Sequence, residues 1–167
     1  MLIRPAQPQD CEAIARIYNQ GIRARIATFE TEERCAEERA AWLARRDSRY
    51  PVLVAESGDG KIVGWTSADA YRSRECYAGV AEFSVYVDES FRRRGVGVML
   101  LEGLIDAAET AGLWKLISRI FVQNAASRSL CAQVGFREVG VYEKHARLDG
   151  VWRDVVIVER LIEANLR

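Results

Sequence analysis

The chain has 167 residues, 49% of them hydrophobic and 29% charged, the composition of a folded domain rather than of a disordered or fibrous segment. A chain of this length buries roughly two-thirds of its unfolded surface, so no disulfide or metal is needed to hold it. Lys plus Arg and Asp plus Glu number 24 each, which excludes a global field drawing the chain to nucleic acid or to a membrane surface.

The four cysteines, Cys11, Cys35, Cys76 and Cys131, form no CxxC pair, and with His145 as the one histidine no zinc site is spelled. They do not suggest a secreted disulfide scaffold either, so a cytoplasmic location is expected. Met1-Leu2-Ile3-Arg4-Pro5 turns polar at once, leaving no core for a signal peptide. No stretch approaches the ~20 apolar residues of a membrane-spanning helix.

In chain order, Leu2 to Arg4 reads as a short strand stopped by Pro5, and Asp10 as the N-cap of a helix with Ile14, Ile17 and Tyr18 on one face. Gly21 to Glu33 is ambiguous. Cys35 to Arg46 reads as a second helix with Trp42 and Leu43 inward. Val52–Ala55 and Lys61–Ala70 are strands joined by Gly58-Asp59-Gly60, and Gly79 to Val87 is a longer strand. Val96, Leu100, Leu101, Leu104, Ile105 and Ala108 then share one helical face, with Gly112 past the end. Leu116 to Val122 is a strand. Asn124 caps a short helix with Ser127, Leu130, Cys131 and Val134 on one side, ended by Gly135. Phe136–Tyr142 and Trp152–Leu161 close the chain around Asp149-Gly150. The order predicts one mixed α/β domain over residues 1–167 with a central βαβ crossover and therefore some parallel pairing.

The richest segment is Val85-Tyr86-Val87-Asp88-Glu89-Ser90-Phe91-Arg92-Arg93-Arg94-Gly95-Val96-Gly97. A strand ends, a basic turn follows, and two glycines open an amphipathic helix. Helix N-termini carry unpaired N–H groups and partial positive charge, glycines admit a close backbone approach, and arginines add charge where phosphates would arrive. The plain alternative is a solvated turn. A dinucleotide fingerprint is excluded because Leu100 stands where its third glycine belongs, and a P-loop because no Gly-Lys-Ser/Thr follows. Neither interleaved aromatics nor a larger basic surface marks a nucleic-acid site.

Arg92-Arg93-Arg94-Gly95-Val96-Gly97 resembles the R/Q-x-x-G-x-G/A motif of the GNAT superfamily of N-acetyltransferases, which clasps the pyrophosphate of coenzyme A. Asn124-Ala125-Ala126-Ser127 followed by Gly135-Phe136 resembles the family's second element. Nearly the whole chain is similar to the branch that contains phosphinothricin N-acetyltransferase. Phe29-Glu30-Thr31-Glu32, Arg49-Tyr50-Pro51, Glu82 with Val85-Tyr86-Val87, and Gly150-Val151-Trp152-Arg153-Asp154-Val155 carry that likeness. Within the branch, which is associated with antibiotic and herbicide resistance, the chain is most similar to acetyltransferases associated with arsenic resistance, which acetylate arsinothricin. The resemblance implies a mostly antiparallel sheet of about seven strands flanked by about four helices, acetyl-CoA as co-substrate, no metal, and a homodimer. It implies that Val85, Tyr86, Val87, Arg92, Arg93, Arg94, Gly95, Val96, Gly97, Val98, Asn124, Ser127 and Cys131 lie along the cofactor.

Glu82 stands in an otherwise apolar strand on the approach to the basic turn, where burial would suit a carboxylate to general-base work. The resemblance places a catalytic glutamate there too. The alternative is a carboxylate on a polar strand face or one paired with an arginine. The oxyanion would meet a backbone N–H near Val85 to Val87. The general acid departs from the pattern: many relatives carry Tyr, and this branch often His, where this chain has Cys131. That thiol either protonates the leaving thiolate or is simply packed, with Tyr142 a less well placed substitute. Arg72 and Arg74 precede the Glu82 strand, and Arg74 matches an arginine beside the acidic substrate of the branch, where a guanidinium would suit a carboxylate, phosphinate or arsinate. The other reading is a solvated loop. Phe29 and Thr31 match a substrate-side segment, with ordinary packing as the alternative for Phe29. Trp152 and Asp154 belong to a signature also explained by fixing the last hairpin, and Leu148-Asp149 replaces the Lys-aromatic or Lys-His pair common before its glycine. His145 is off the pattern and reads as a surface or structural residue.

The expected activity is therefore transfer of acetyl from acetyl-CoA to the amine of a small amino-acid-like acceptor, by direct attack in a ternary complex. A protein or peptide acceptor, or a non-catalytic acyl-CoA sensor, are the other readings.

Overall fold

The computed structural model describes residues Met1–Arg167. Its elements are β1 (Leu2–Pro5), α1 (Cys11–Ala24), α2 (Ala36–Ala44), β2 (Val52–Glu56), β3 (Ile62–Ala70), β4 (Val80–Val87), α3 (Val96–Thr110), β5 (Lys115–Phe121), α4 (Ala125–Gln133), β6 (Arg137–Leu148) and β7 (Val151–Leu161), with short 3₁₀ turns between several of them. The strands form one seven-stranded sheet in the order β1-β2-β3-β4-β5-β7-β6. Every pairing is antiparallel except β4 with β5, which the α3 crossover makes parallel. The expected mixed α/β architecture is what the chain adopts.

Alternation along the strands supplies two apolar faces. On one, Leu101, Leu104 and Ala108 of α3 bury against Leu53, Ala68, Ala81, Phe83 and Leu116, while Cys131 of α4 joins the same cluster. On the other, Ile14, Ile17, Tyr18 and Ile22 of α1 cover Val54, Ile62 and Trp65. α1 and α2 stop short of β5 and β7, so that part of their sheet face is left to the loop around Phe29, which packs on Phe121, Leu148 and Val155.

Three sequence expectations change. Asp10 does precede α1, but its side chain does not cap that helix. Its carboxylate accepts the Gln7 N–H at 2.8 Å and two hydrogen bonds from Arg4 at 2.7 and 2.9 Å. A basic residue on the preceding strand thus outcompetes the helix end for it. The ambiguous stretch after Gly21 continues α1 to Ala24 and stops at Arg25, whose φ of 57° is left-handed. The sixth strand runs to Leu148 rather than Tyr142, with an irregular register between Tyr142 and Ala146. There the Lys144 N–H donates to Asp154 Oδ1 at 2.7 Å, so Asp154 of the Gly-x-Trp-x-Asp segment fixes the last hairpin.

Candidate active site

The parallel pairing of β4 with β5 covers only Val80–Glu82 against Lys115–Ile117. Beyond it β4 keeps β3 as its one neighbour, and β5 turns to β7. At the fork the Ser118 hydroxyl donates to the Phe83 carbonyl at 2.9 Å. From there to Val87 the β5-facing edge of β4 has no strand partner, and its backbone groups are available to an amide-bearing chain laid along it.

The opening leads into a cleft of about 720 Å³ bounded by Val85, Tyr86 and Val87, by the α1 end at Gly21 and Ala24, and by the N-termini of α3 and α4. Arg92, Arg93, Gly95, Val96, Gly97, Val98, Asn124 and Ser127 all line it. α3 begins at Gly95, whose φ of +80° is left-handed, and no side chain caps it. Its first N–H groups are therefore open to an anion. Arg92, Arg93 and Arg94 make no ion pair with any carboxylate of the chain, which leaves the guanidinium groups of Arg92 and Arg93 free at the cleft. Arg94 stacks over Phe91 at 5.1 Å and does not line the cleft. The turn is anchored behind by Asp88, which accepts the Ser90 N–H at 3.0 Å and pairs with Arg16. Burial alone would raise that carboxyl; hydrogen bonds from Ser90 and Arg16 outweigh it and hold it at about 2.

Gly97 has a packing job beside its place in the cleft lining. A Cβ there would lie 2.8 Å from Leu130 Cδ2, so the missing side chain lets α4 pack against the start of α3. Asn124 serves both sides of the cleft. Its Oδ1 caps α4 by accepting the Ser127 N–H at 3.1 Å, and its Nδ2 donates to the Ile26 carbonyl at 3.0 Å.

Cys131 is the clear correction among the cofactor candidates. Its side chain is 1% exposed within the α3–α4 core, and burial pushes the thiol up to about 12. A helical stripe shared with Ser127 straddles cleft and core, and Cys131 falls on the core side. Cys131→Ala is expected to keep kcat within about twofold while lowering stability by about 1 kcal/mol, a thermal midpoint roughly 2–4 °C lower. Steady-state rates and a melting curve check both, and a hundredfold loss of kcat would return the thiol to the chemistry. Tyr142 is exposed on β6 with His145 at 5.1 Å, and neither lines the cleft.

Glu82 sits at the last paired position of β4, on the sheet face opposite α3 and α4, since Ala81 and Phe83 point to those helices. It is not the buried carboxylate expected of it: the side chain is 28% exposed and paired with Arg119. Arg119 Nε and Nη2 both donate to Glu82 Oε1, at 2.8 and 2.7 Å. Arg119 belongs to no motif of the sequence. The available signal was a lone charge between Ile117 and Phe121 on an apolar strand.

The proposed acceptor residues fall in two places. Arg72 and Arg74 line a separate cavity of about 590 Å³, together with Arg45, Arg46, Arg49 and Asp69. Asp69 is the cross-strand neighbour of Glu82 and is paired with Arg46 at 2.6 Å. Phe29 packs edge-on against Phe121 with ring centres 4.6 Å apart, and Thr31 is exposed in the loop beyond. No group of His, Cys, Asp and Glu side chains is placed to hold a metal ion, and no helix is long and apolar enough to cross a membrane.

An opened sheet beside an uncapped helix N-terminus and free arginines defines a cleft for a phosphate-bearing molecule with an extended amide tail. The chain belongs to the acetyltransferase (GNAT) family, whose model matches residues 14–136. It is 34% identical to the phosphinothricin N-acetyltransferase of Streptomyces coelicolor over 95% of this chain and 94% of that protein. It is also 34% identical to the L-methionine sulfoximine/L-methionine sulfone acetyltransferase of Pseudomonas paraeruginosa, over 94% and 92% of the two chains. A Salmonella typhimurium acetyltransferase solved with acetyl-CoA superposes with a TM-score of 0.90 at 33% identity, covering 96% of this chain and 93% of that one.

Proposed function

We propose that the protein, acting as a single domain, transfers acetyl from acetyl-CoA to the amine of a small amino acid of the phosphinothricin, arsinothricin or methionine sulfoximine type. The observation that carries this is the cleft at the β4–β5 fork, which joins an unpaired strand edge to an uncapped helix N-terminus and free guanidinium groups. In this reading the pyrophosphate lies against Gly95–Val98 with Arg92 and Arg93, and the pantetheine runs along Val85–Val87. The thioester carbonyl is then polarised by a β4 backbone N–H near the fork.

Glu82 acts as general base from the other face. The acceptor ammonium loses a proton to Glu82, and the amine attacks the carbonyl carbon of the thioester. Collapse of the tetrahedral adduct breaks the C–S bond, and the remaining ammonium proton ends on the leaving thiolate. No acetyl-enzyme forms, which the buried Cys131 supports. Arg72 and Arg74 receive the tetrahedral side-chain end of the acceptor, anionic in phosphinothricin and arsinothricin, in the arginine-lined cavity. The reading includes a homodimer, supported by the exposed Val139, Val141 and Tyr142 on the edge strand β6 and by Val151 and Trp152 beside it. Sedimentation at twice the monomer mass is its expected signature.

The test is acceptor-dependent thiol release from acetyl-CoA across a panel of phosphinothricin, arsinothricin, methionine sulfoximine and glutamate, with Arg74→Ala run beside the wild type. Turnover of at least one phosphinate, arsinate or sulfoximine acceptor, with a ~10-fold or larger rise in its KM in Arg74→Ala, is expected. Turnover of peptide N-termini alone would replace the acceptor class, and tight acetyl-CoA binding without any acceptor would leave a sensor.

A further inference from the structure

Glu82 and Arg119 meet where β4 and β5 part, on the face that α1 and α2 leave uncovered. Two donors converge on the single oxygen Oε1, so the pair uses half of each group. Glu82 Oε2 and Arg119 Nη1 have no partner in the chain, and the arginine side chain is 49% exposed. Surface pairs of this kind contribute little to stability, about 0–1 kcal/mol, which leaves the position of this one to be explained by something else. Two residues along β5 on the same face stands Phe121 with Phe29 against it, an apolar wall beside the pair.

A carboxylate and a guanidinium side by side, each with one half open, are complementary to a zwitterion. An α-amino acid carries its ammonium and carboxylate on one carbon, with the charges in the opposite order. We propose that Arg119 is the receptor for the acceptor's α-carboxylate, held through Nη1 and the outward hydrogen of Nη2, while the acceptor ammonium donates to Glu82 Oε2. The ion pair then selects α-amino acids over simple amines and aims the nitrogen at the fork. Side-chain identity is read elsewhere, by the arginine-lined cavity and the Phe29–Phe121 wall. The inference rests on the proposed reading of Glu82 as the base, and it adds a substrate-contacting role for a residue on the neighbouring strand.

The experiment compares L-methionine sulfoximine and phosphinothricin, each beside its decarboxylated amine, in the wild type, Arg119→Ala, Arg119→Lys and Glu82→Gln. The wild type is expected to favour the amino acid over the amine by ~10–100-fold in kcat/KM, the span of a charge-assisted pair. In Arg119→Ala that ratio falls to within about threefold of unity, chiefly through the KM of the amino acid. Arg119→Lys recovers part of it, because it keeps the charge without the fork. Loss of Glu82's neighbour slows both acceptors alike and cancels in the ratio, and unchanged melting curves exclude misfolding. A wild type that does not discriminate, an Arg119→Ala enzyme that still does, or no turnover of either acid overturns the proposal. Failure of the base shows separately: Glu82→Gln would then turn over normally, with the carboxylate preference still testable in Arg119→Ala.

Discussion

Glu82→Gln is expected to lower kcat by ~10²–10⁴-fold, the range a positioned general base contributes. The substitution is close to isosteric and its amide oxygen can still accept from Arg119, so what is removed is the capacity to take a proton. Glu82 does not line the acetyl-CoA cleft, and its side chain lies on the other face of the sheet from α3 and α4. The KM for acetyl-CoA is therefore expected to stay within about twofold. Stability should also hold, because the pair is half open to water and exposed pairs contribute about 0–1 kcal/mol. Steady-state thiol release with both substrates varied, together with a melting curve, separates these effects. A kcat within threefold of wild type would move the base elsewhere, and Asp69, one strand away and facing the same side, would become the next candidate.

The partnership that defines this prediction could not be read from the chain. Glu82 was visible as a lone carboxylate in an apolar strand, and Arg119 was equally visible as a lone cation in another. Hairpin strands have a register that their turn sets, whereas β4 and β5 are parallel and joined through a fifteen-residue helix, so nothing local fixes how far one slides along the other. Only tertiary packing brings Glu82 opposite Ile117 and so within reach of Arg119. Without that register, a base and a carboxylate paired with an arginine stay two open readings of Glu82, and no particular arginine is singled out.

Local signals did better where local physics decides. The α3 stripe of Val96, Leu100, Leu101, Leu104 and Ala108 is buried, and Gly112 follows the helix in the left-handed conformation. Asn124 caps α4 as its type and position suggested. Cys131 marks the limit of the same reasoning. The period of α4 places it on one stripe with Ser127, but a period says nothing about what a stripe meets, and this one divides between the cleft and the core. Asp10 fails for the complementary reason. Its cap signal was sound by sequence, yet Arg4 on β1 reached the carboxylate with two hydrogen bonds.

Gly95→Val is expected to raise the KM for acetyl-CoA by about tenfold or more, with a smaller effect on kcat at saturation and none on the KM of the acceptor. Gly95 is the residue from which α3 starts, and its φ of +80° is one that an L side chain adopts at a cost of roughly 1–2 kcal/mol, more for a β-branched one. Either the turn relaxes or the first helical turn frays. In both cases the open N–H groups of Val96 to Val98 no longer converge on one point, and ~1.4 kcal/mol of lost anion binding is a factor of ten. The control is Gly97→Ala, two residues on, where the backbone is ordinary helix and the added methyl meets only the end of the Leu130 side chain at 2.8 Å. Leu130 can move, so a KM within about threefold of wild type is expected there. Isothermal titration with coenzyme A beside the kinetics reads the binding directly. If Gly97→Ala weakens coenzyme A as much as Gly95→Val does, the left-handed turn is not what aims the helix end, and the close packing of α4 on α3 must be.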